Sequence, residues 1–197
     1  MKKHVVSLFA MAAMSNLLRP QFVLDISAAQ TENPDHNISG TKDTIYIIPA
    51  ANITTFGTLQ STPTYANENL ITAAHTLASG KKWIKVDLAE NSGKFTFEGP
   101  KNRQGNFKQK FEGMIPSMDS TFVSMIQQIA RQKVYALIPN RAGSTIYHIG
   151  ADGLGATLNA SGDTGAANDD SVGIKIEITC TVPSQHRWDT GNAISAY

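Results

Sequence analysis

Three residues stand in the chain in an order that suits hydrolytic chemistry. They are His75 in "NLITAAHTLASG" (residues 69–80), Asp119 at mid-chain and Thr164 in "SGDTG" (residues 161–165). A histidine base, a carboxylate that orients it and a hydroxyl nucleophile cleave acyl bonds when the carboxylate is buried against the imidazole. Backbone N–H groups must also face the developing oxyanion. His148 in "TIYHIG" offers a second imidazole, and Asp163, Asp169 and Asp170 in the glycine-rich run 150–170 offer carboxylates to a cation.

The stretch around His75 resembles the histidine motif of trypsin-like serine proteases, and "SGDTG" differs by one hydroxyl residue from their nucleophile turn. That resemblance implies a secreted protease. The neighbouring residues argue otherwise. Asp119 falls where a helix begins, a position that favours a carboxylate for its own sake. Thr164 replaces serine, and "GAANDDSVG" after it is polar loop instead of an apolar strand. A helix at the centre of the chain is also foreign to a pair of all-β barrels. No catalytic residue is therefore assigned, and His75 and His148 read as packed or surface histidines.

No His/Cys/Asp cluster has the usual spacing of a metal site, so neither metal nor cofactor is expected. The glycine-rich run lacks the Lys-Ser/Thr of a phosphate loop and the ligand spacing of an EF-hand. It reads as a long surface loop bracketing a short strand at Ala156 to Leu158. The single cysteine, Cys180, has no internal disulfide partner and falls among alternating isoleucines, where a thiol acts as a small hydrophobe.

A chain of 197 residues suits one domain, and folding at that length buries roughly 70% of the unfolded chain's surface. Hydrophobic residues make up 41% and charged ones 17%, which places the chain among globular proteins and outside the disordered class. A net charge of +1, with no block of Lys or Arg, disfavours tight binding to a phosphate backbone.

The N-terminal apolar run, Val5 to Met14, is too short to span a bilayer. Val5, Phe9, Met11, Ala12 and Leu18 share one side of a helix before Pro20. The segment therefore reads as an uncleaved amphipathic arm more than as a secretory signal, and no membrane association is expected. The polar stretch that follows extends this arm over residues 1–43.

The folded body is expected over residues 44–184, with a C-terminal tail over 185–197. "TIYIIP" reads as a strand, and residues 51–69 as a long loop. "WIKVDL" and "KFTFE" alternate with period two and, joined by "AENSG", predict a hairpin. "NFKQKFEGM" adds a strand with Phe107 and Phe111 on one face and Lys108, Lys110 and Glu112 on the other. In "PSMDSTFVSMIQQIARQK", Ser117 reads as the cap, and the spacing of Phe122, Met125, Ile126 and Ile129 predicts a helix over about residues 118–132. "VYALIP" is apolar at almost every position, as a strand buried on both faces is, and "NRAGS" turns it into "TIYHIG". "GIKIEITCTV" alternates throughout. The sum is a mainly β, antiparallel two-sheet sandwich or barrel-like domain of about seven or eight strands, with one packed helix behind an extended N-terminal arm.

This order of hairpin, strand, helix, strand, "NRAGSTIYHIG", a glycine-rich connection with "SGDTG" and a long final strand ending in "TVPS" is similar to the tail tube proteins of tailed bacteriophages, the major tail protein family. The resemblance covers roughly residues 44–184 and is one of layout. It implies a virion subunit, assembled in the host cytoplasm, that closes into hexameric rings stacked into a tube. Double-stranded DNA passes through the channel at ejection. The implied partners are further copies of the chain and other tail proteins; another tail, neck or baseplate subunit with the same domain is the alternative. Lys94, Lys108 and Lys110 would then pair with carboxylates of an adjacent subunit.

Overall fold

The clearest strand is set by simple alternation. Ile174, Ile176, Ile178, Cys180 and Val182 are buried along one side of Gly173–Val182, while Lys175 and Thr181 on the other side are exposed. In the computed structural model, which describes residues 40–61, 69–100, 105–163 and 172–197, this segment is β11. The strands before it are β1 (Thr44–Pro49), β2 (Ile53–Thr55), β3 (Leu70–Ile71), β4 (Thr76–Leu77), β5 (Ile84–Asp87), β6 (Lys94–Glu98), β7 (Phe107–Ile115), β8 (Lys133–Pro139), β9 (Ile146–Ile149) and β10 (Ala156–Asp163). Helix α1 (Ser120–Ala130) lies between β7 and β8, and β12 (His186–Trp188) follows β11. The N-terminal arm up to residue 39 lies outside the described residues, as do Thr164, Asp169 and Asp170.

The protein is mainly β with one α-helix among the described residues. Ten strands join in one mixed sheet, and β2 and β4 form a separate two-stranded ribbon. The main sheet does not close into a barrel: its path runs β3-β12-β9-β8-β10-β11-β7-β6, with β1 and β5 added along the other side of β8. All pairs are antiparallel except β12 with β3.

The expected hairpin between "WIKVDL" and "KFTFE" does not form. β5 pairs with β1, Ile45 opposite Val86, and β6 pairs with β7, Phe95 opposite Phe111. The turn residues between β5 and β6 instead carry the chain from one part of the sheet to another, with Leu88 N–H donating to the Asp43 carbonyl and Ala89 N–H to that of Met114. Residues 186–188, expected in a tail, are a strand between β9 and β3. The short strand foreseen at Ala156 to Leu158 runs on to Asp163.

β8 divides the interior. Val134, Ala136 and Ile138 face one core with Ile45, Ile47, Phe111, Leu158 and the isoleucines of β11. Tyr135 and Leu137 face a second core with Ile48, Ile71, Trp83 and Trp188. Burial on both faces explains the near-continuous apolar run of β8. Helix α1 closes the first core with buried Ile126 and Ile129, each worth roughly 1.5–3 kcal/mol of burial. Its cap is Asp119 instead of Ser117: the Asp119 carboxylate accepts from Thr121 N–H at 3.0 Å, and the Ser117 hydroxyl accepts from Asp119 N–H.

Candidate functional site: a sealed histidine cluster

The second core holds the polar chemistry of the molecule. Three histidines meet there: His75, just before β4, His148 on β9 and His186 on β12, all buried. β9 and β12 are neighbours with His186 directly opposite His148, so two of the three are brought together by strand register alone. Phe56, Tyr135, Trp83 and Trp188 surround them. The Phe56 ring lies 4.4 Å from that of His75, Trp188 packs edge-on to His75 at 4.9 Å, and Trp188 stacks parallel to His148.

Hydrogen bonds determine where the protons sit. Gly57 N–H donates to His75 Nδ1 at 2.7 Å, so that nitrogen holds a lone pair and a neutral His75 carries its proton on Nε2. His75 Nε2 lies 2.9 Å from His148 Nε2. His148 Nδ1 lies 3.1 Å from the carbonyl of Gly150, which only accepts, so the proton of His148 is on Nδ1 and its Nε2 is the acceptor. The result is a directional chain from Gly57 N–H through His75 and His148 to the Gly150 carbonyl, with both rings neutral. His186 Nε2 pairs with the Ser184 hydroxyl at 3.1 Å, and its Nδ1 has no hydrogen-bond partner.

Burial is the main cause that keeps the rings uncharged. It pushes the pKa of His75 down to about 4, with the neighbouring His186 adding to the effect. His148 is held well below the ordinary histidine range by burial and by the other two imidazoles. His186 is lowered by burial, offset in part by the nearby Gly150 carbonyl.

The backbone around the cluster is shaped to fit it. A β-carbon on Gly57 would stand 2.7 Å from Ile71 Cγ2 and 3.1 Å from His75 Nδ1, so only glycine lets that N–H approach the ring. Gly150 has φ +107, and a β-carbon there would meet the Tyr135 ring at 2.6 Å. Gln109, on the inward face of β7, ties the far wing of the sheet to this point. Its Oε1 accepts from Gly150 N–H at 2.9 Å, and its Nε2 donates to the His148 carbonyl at 3.2 Å and to Gln185 Oε1 at 2.9 Å.

The arrangement leaves the residues of the hydrolytic reading apart. His75 takes a backbone N–H on the nitrogen that a base would use to face an orienting carboxylate, and it spends the other on His148. Asp119 caps α1, and Thr164 lies outside the described residues. Metal ligation by His75 Nε2 would require the proton on Nδ1, where Gly57 N–H already points. No group of three or more His, Cys, Asp or Glu side chains among the described residues is placed to hold a metal ion. Cys180 packs in the first core, and burial raises its thiol pKa.

Sequence reasoning met His75 and His148 one at a time and did not single out His186 or Gln109. The signal available for His186 was its place two residues before Trp188, the spacing of one face of a strand.

The expected lysines lie on β6 and β7. Lys110 pairs with Glu112 at 3.0 Å and Glu177 at 2.9 Å within the same chain, and strand register sets Lys94 opposite Glu112 and Lys108 opposite Glu98. Lys110 thus has carboxylate partners within its own chain. Among the described residues no helix is long and apolar enough to cross a membrane.

Fold and site together define a mainly β protein whose buried polar centre is an uncharged histidine pair with a third histidine beside it. Comparison with protein-family models, with curated proteins and with solved structures found no match to the chain.

Proposed function

We propose that the protein is a structural subunit that works by self-association, a tail tube protein of tailed bacteriophages whose stacked hexameric rings form the channel for DNA ejection. The observation that carries this reading is the outer edge of β6, which nothing pairs with among the described residues and which presents Phe97 at 55% exposure. Unpaired N–H and C=O groups beside an exposed aromatic ring invite a strand from another copy, and a closed ring satisfies every such edge. The sealed state of His75, with both nitrogens committed, weighs for a structural role over a hydrolytic one.

The finer architecture supports the same reading. Strands β5, β1, β8, β9, β12 and β3 make one wing of the sheet and β10, β11, β7 and β6 the other, and residues of both wings share the first core. Phe95 of β6 stacks on Tyr147 of β9 at 4.7 Å, a contact between the two wings that supports reading them as the layers of a sandwich, with α1 packed alongside.

Negative-stain microscopy of the purified full chain tests the proposal. Hollow rings or tubes are the expected result, lost in Phe97→Lys with secondary structure intact. A dispersed monomer that cleaves casein and loses that activity in His75→Ala would overturn it.

A further inference from the structure

The segments carrying Phe56 and His75 cover the face of β8 and β9 from which Tyr135, Leu137 and His148 project, and β12, paired edge to edge with β9, presents His186 on that same face. The polar link across this contact is the bond from His75 to His148, and it exists in one protonation state. A proton added to His148 Nε2 would face the N–H of His75, and one added to His75 Nδ1 would face the N–H of Gly57. Either places two donors against each other and breaks the chain.

His186 is different. Its Nδ1 is buried without a partner, so it takes a proton without losing a bond, and the resulting charge sits with its ring 6.3 Å from that of His148. The titratable groups facing the three rings are one another and Tyr135 from β8. Asp152 and Cys180 act on Tyr135, and no carboxylate appears among the charges acting on the imidazoles. Arg187 lies on the opposite face of β12 from His186 and Trp188. A cation formed here is therefore desolvated, with the Gly150 carbonyl and no carboxylate to offset it.

We infer that His75, His148 and His186 form an acid-operated latch, in which proton uptake from water parts His75 from His148 and frees the Phe56 and His75 segments from the face made by β8, β9 and β12. His186 takes the first proton, and its charge beside the neutral pair favours opening. Opening lets the other two rings reach water and charge in turn, which makes release cooperative. The surface uncovered is apolar, bearing Tyr135, Leu137 and Ile48.

The molecule carries its own reporter, since both tryptophans of the chain, Trp83 and Trp188, are in this core beside His75. Tryptophan emission and amide hydrogen exchange of the full chain would be followed from pH about 7.5 to about 4.5, a span that starts above the ordinary histidine pKa. The expected result is a reversible change in emission with a midpoint below the ordinary histidine range. Amide exchange should rise about tenfold or more in residues 56–59 and 72–77, while β7 and β11 stay protected. His186→Gln should move the midpoint to lower pH, and His186→Asn serves the same purpose if that variant does not fold. Flat emission and exchange over the whole range would overturn the latch. So would loss of protection in all strands together, or an unshifted midpoint in both His186 variants.

Discussion

His75 Nε2 lies 2.9 Å from His148 Nε2, joining positions 73 residues apart in the chain through one hydrogen bond between two uncharged imidazoles. Truncation to His75→Ala would leave Gly57 N–H and His148 Nε2 without partners and open a cavity beside Phe56 and Trp188. A loss of roughly 2–4 kcal/mol is expected, read from urea unfolding at neutral pH. A loss under about 0.5 kcal/mol, the scale of an ordinary surface substitution, would show that the bond contributes little.

Stability should fall with acid, and the sign follows from the depressed pKa values. Each of the three rings binds a proton more weakly in the folded protein than in the unfolded chain, so the unfolded chain charges first as pH drops. The contribution of His75 is complete above the ordinary value of 6.5 and is lost between there and about 4. The shift corresponds to about 3 kcal/mol. Unfolding midpoints measured across this window should decline as pH falls, and a constant midpoint would contradict it.

Gly150→Ala combines a positive φ of +107 with a β-carbon driven against the Tyr135 ring, at the point where Gln109 and His148 both bond. It should cost roughly 1–3 kcal/mol. Gln109→Leu, which leaves Gly150 N–H buried and unpaired, should cost a similar amount, about 1–3 kcal/mol. Because the two share a partner their effects should not add, which a double-mutant cycle would measure.

Thr41 presents the opposite case. Its hydroxyl is buried and makes no hydrogen bond, so Thr41→Val keeps the shape and removes an unsatisfied group. The variant should be more stable by about 1 kcal/mol in thermal or denaturant unfolding, and a destabilised variant would count against the orphaned hydroxyl.

Asp119→Ala removes the carboxylate that accepts Thr121 N–H at the start of α1 and should cost about 1 kcal/mol. The isolated cap should leave Trp83 and Trp188 emission unchanged, since neither tryptophan belongs to the core that α1 closes.

What the sequence made legible follows the range of the interactions. Period two in β7 and β11 and the apolar run of β8 are local patterns, and each strand stands where the pattern puts it. The β8–β9 hairpin around "NRAGS" is equally local. Pairing of β5 with β1 is not local: its signal is complementarity between segments some forty residues apart, and the turn residues after β5 favour the wrong neighbour. The histidine cluster is hidden for the same reason. His75, His148 and His186 stand in unrelated contexts, and only the insertion of β12 between β9 and β3 unites them. Gln109 reads as a polar residue among lysines until the sheet turns its side chain inward.

That insertion also sets a timetable for synthesis. β3 pairs with β12, and Asn192 donates to the Ile71 carbonyl across a separation of 121 residues, so β3 waits for this pairing on the ribosome until residues 186–192 emerge. Until then Trp83 lacks Trp188 and the Ser195 carbonyl, and His75 and His148 have no third ring beside them. Contacts this distant pay their loop-closure entropy late and fold slowly. The nascent chain therefore holds an incomplete second core until residues 186–196 have emerged.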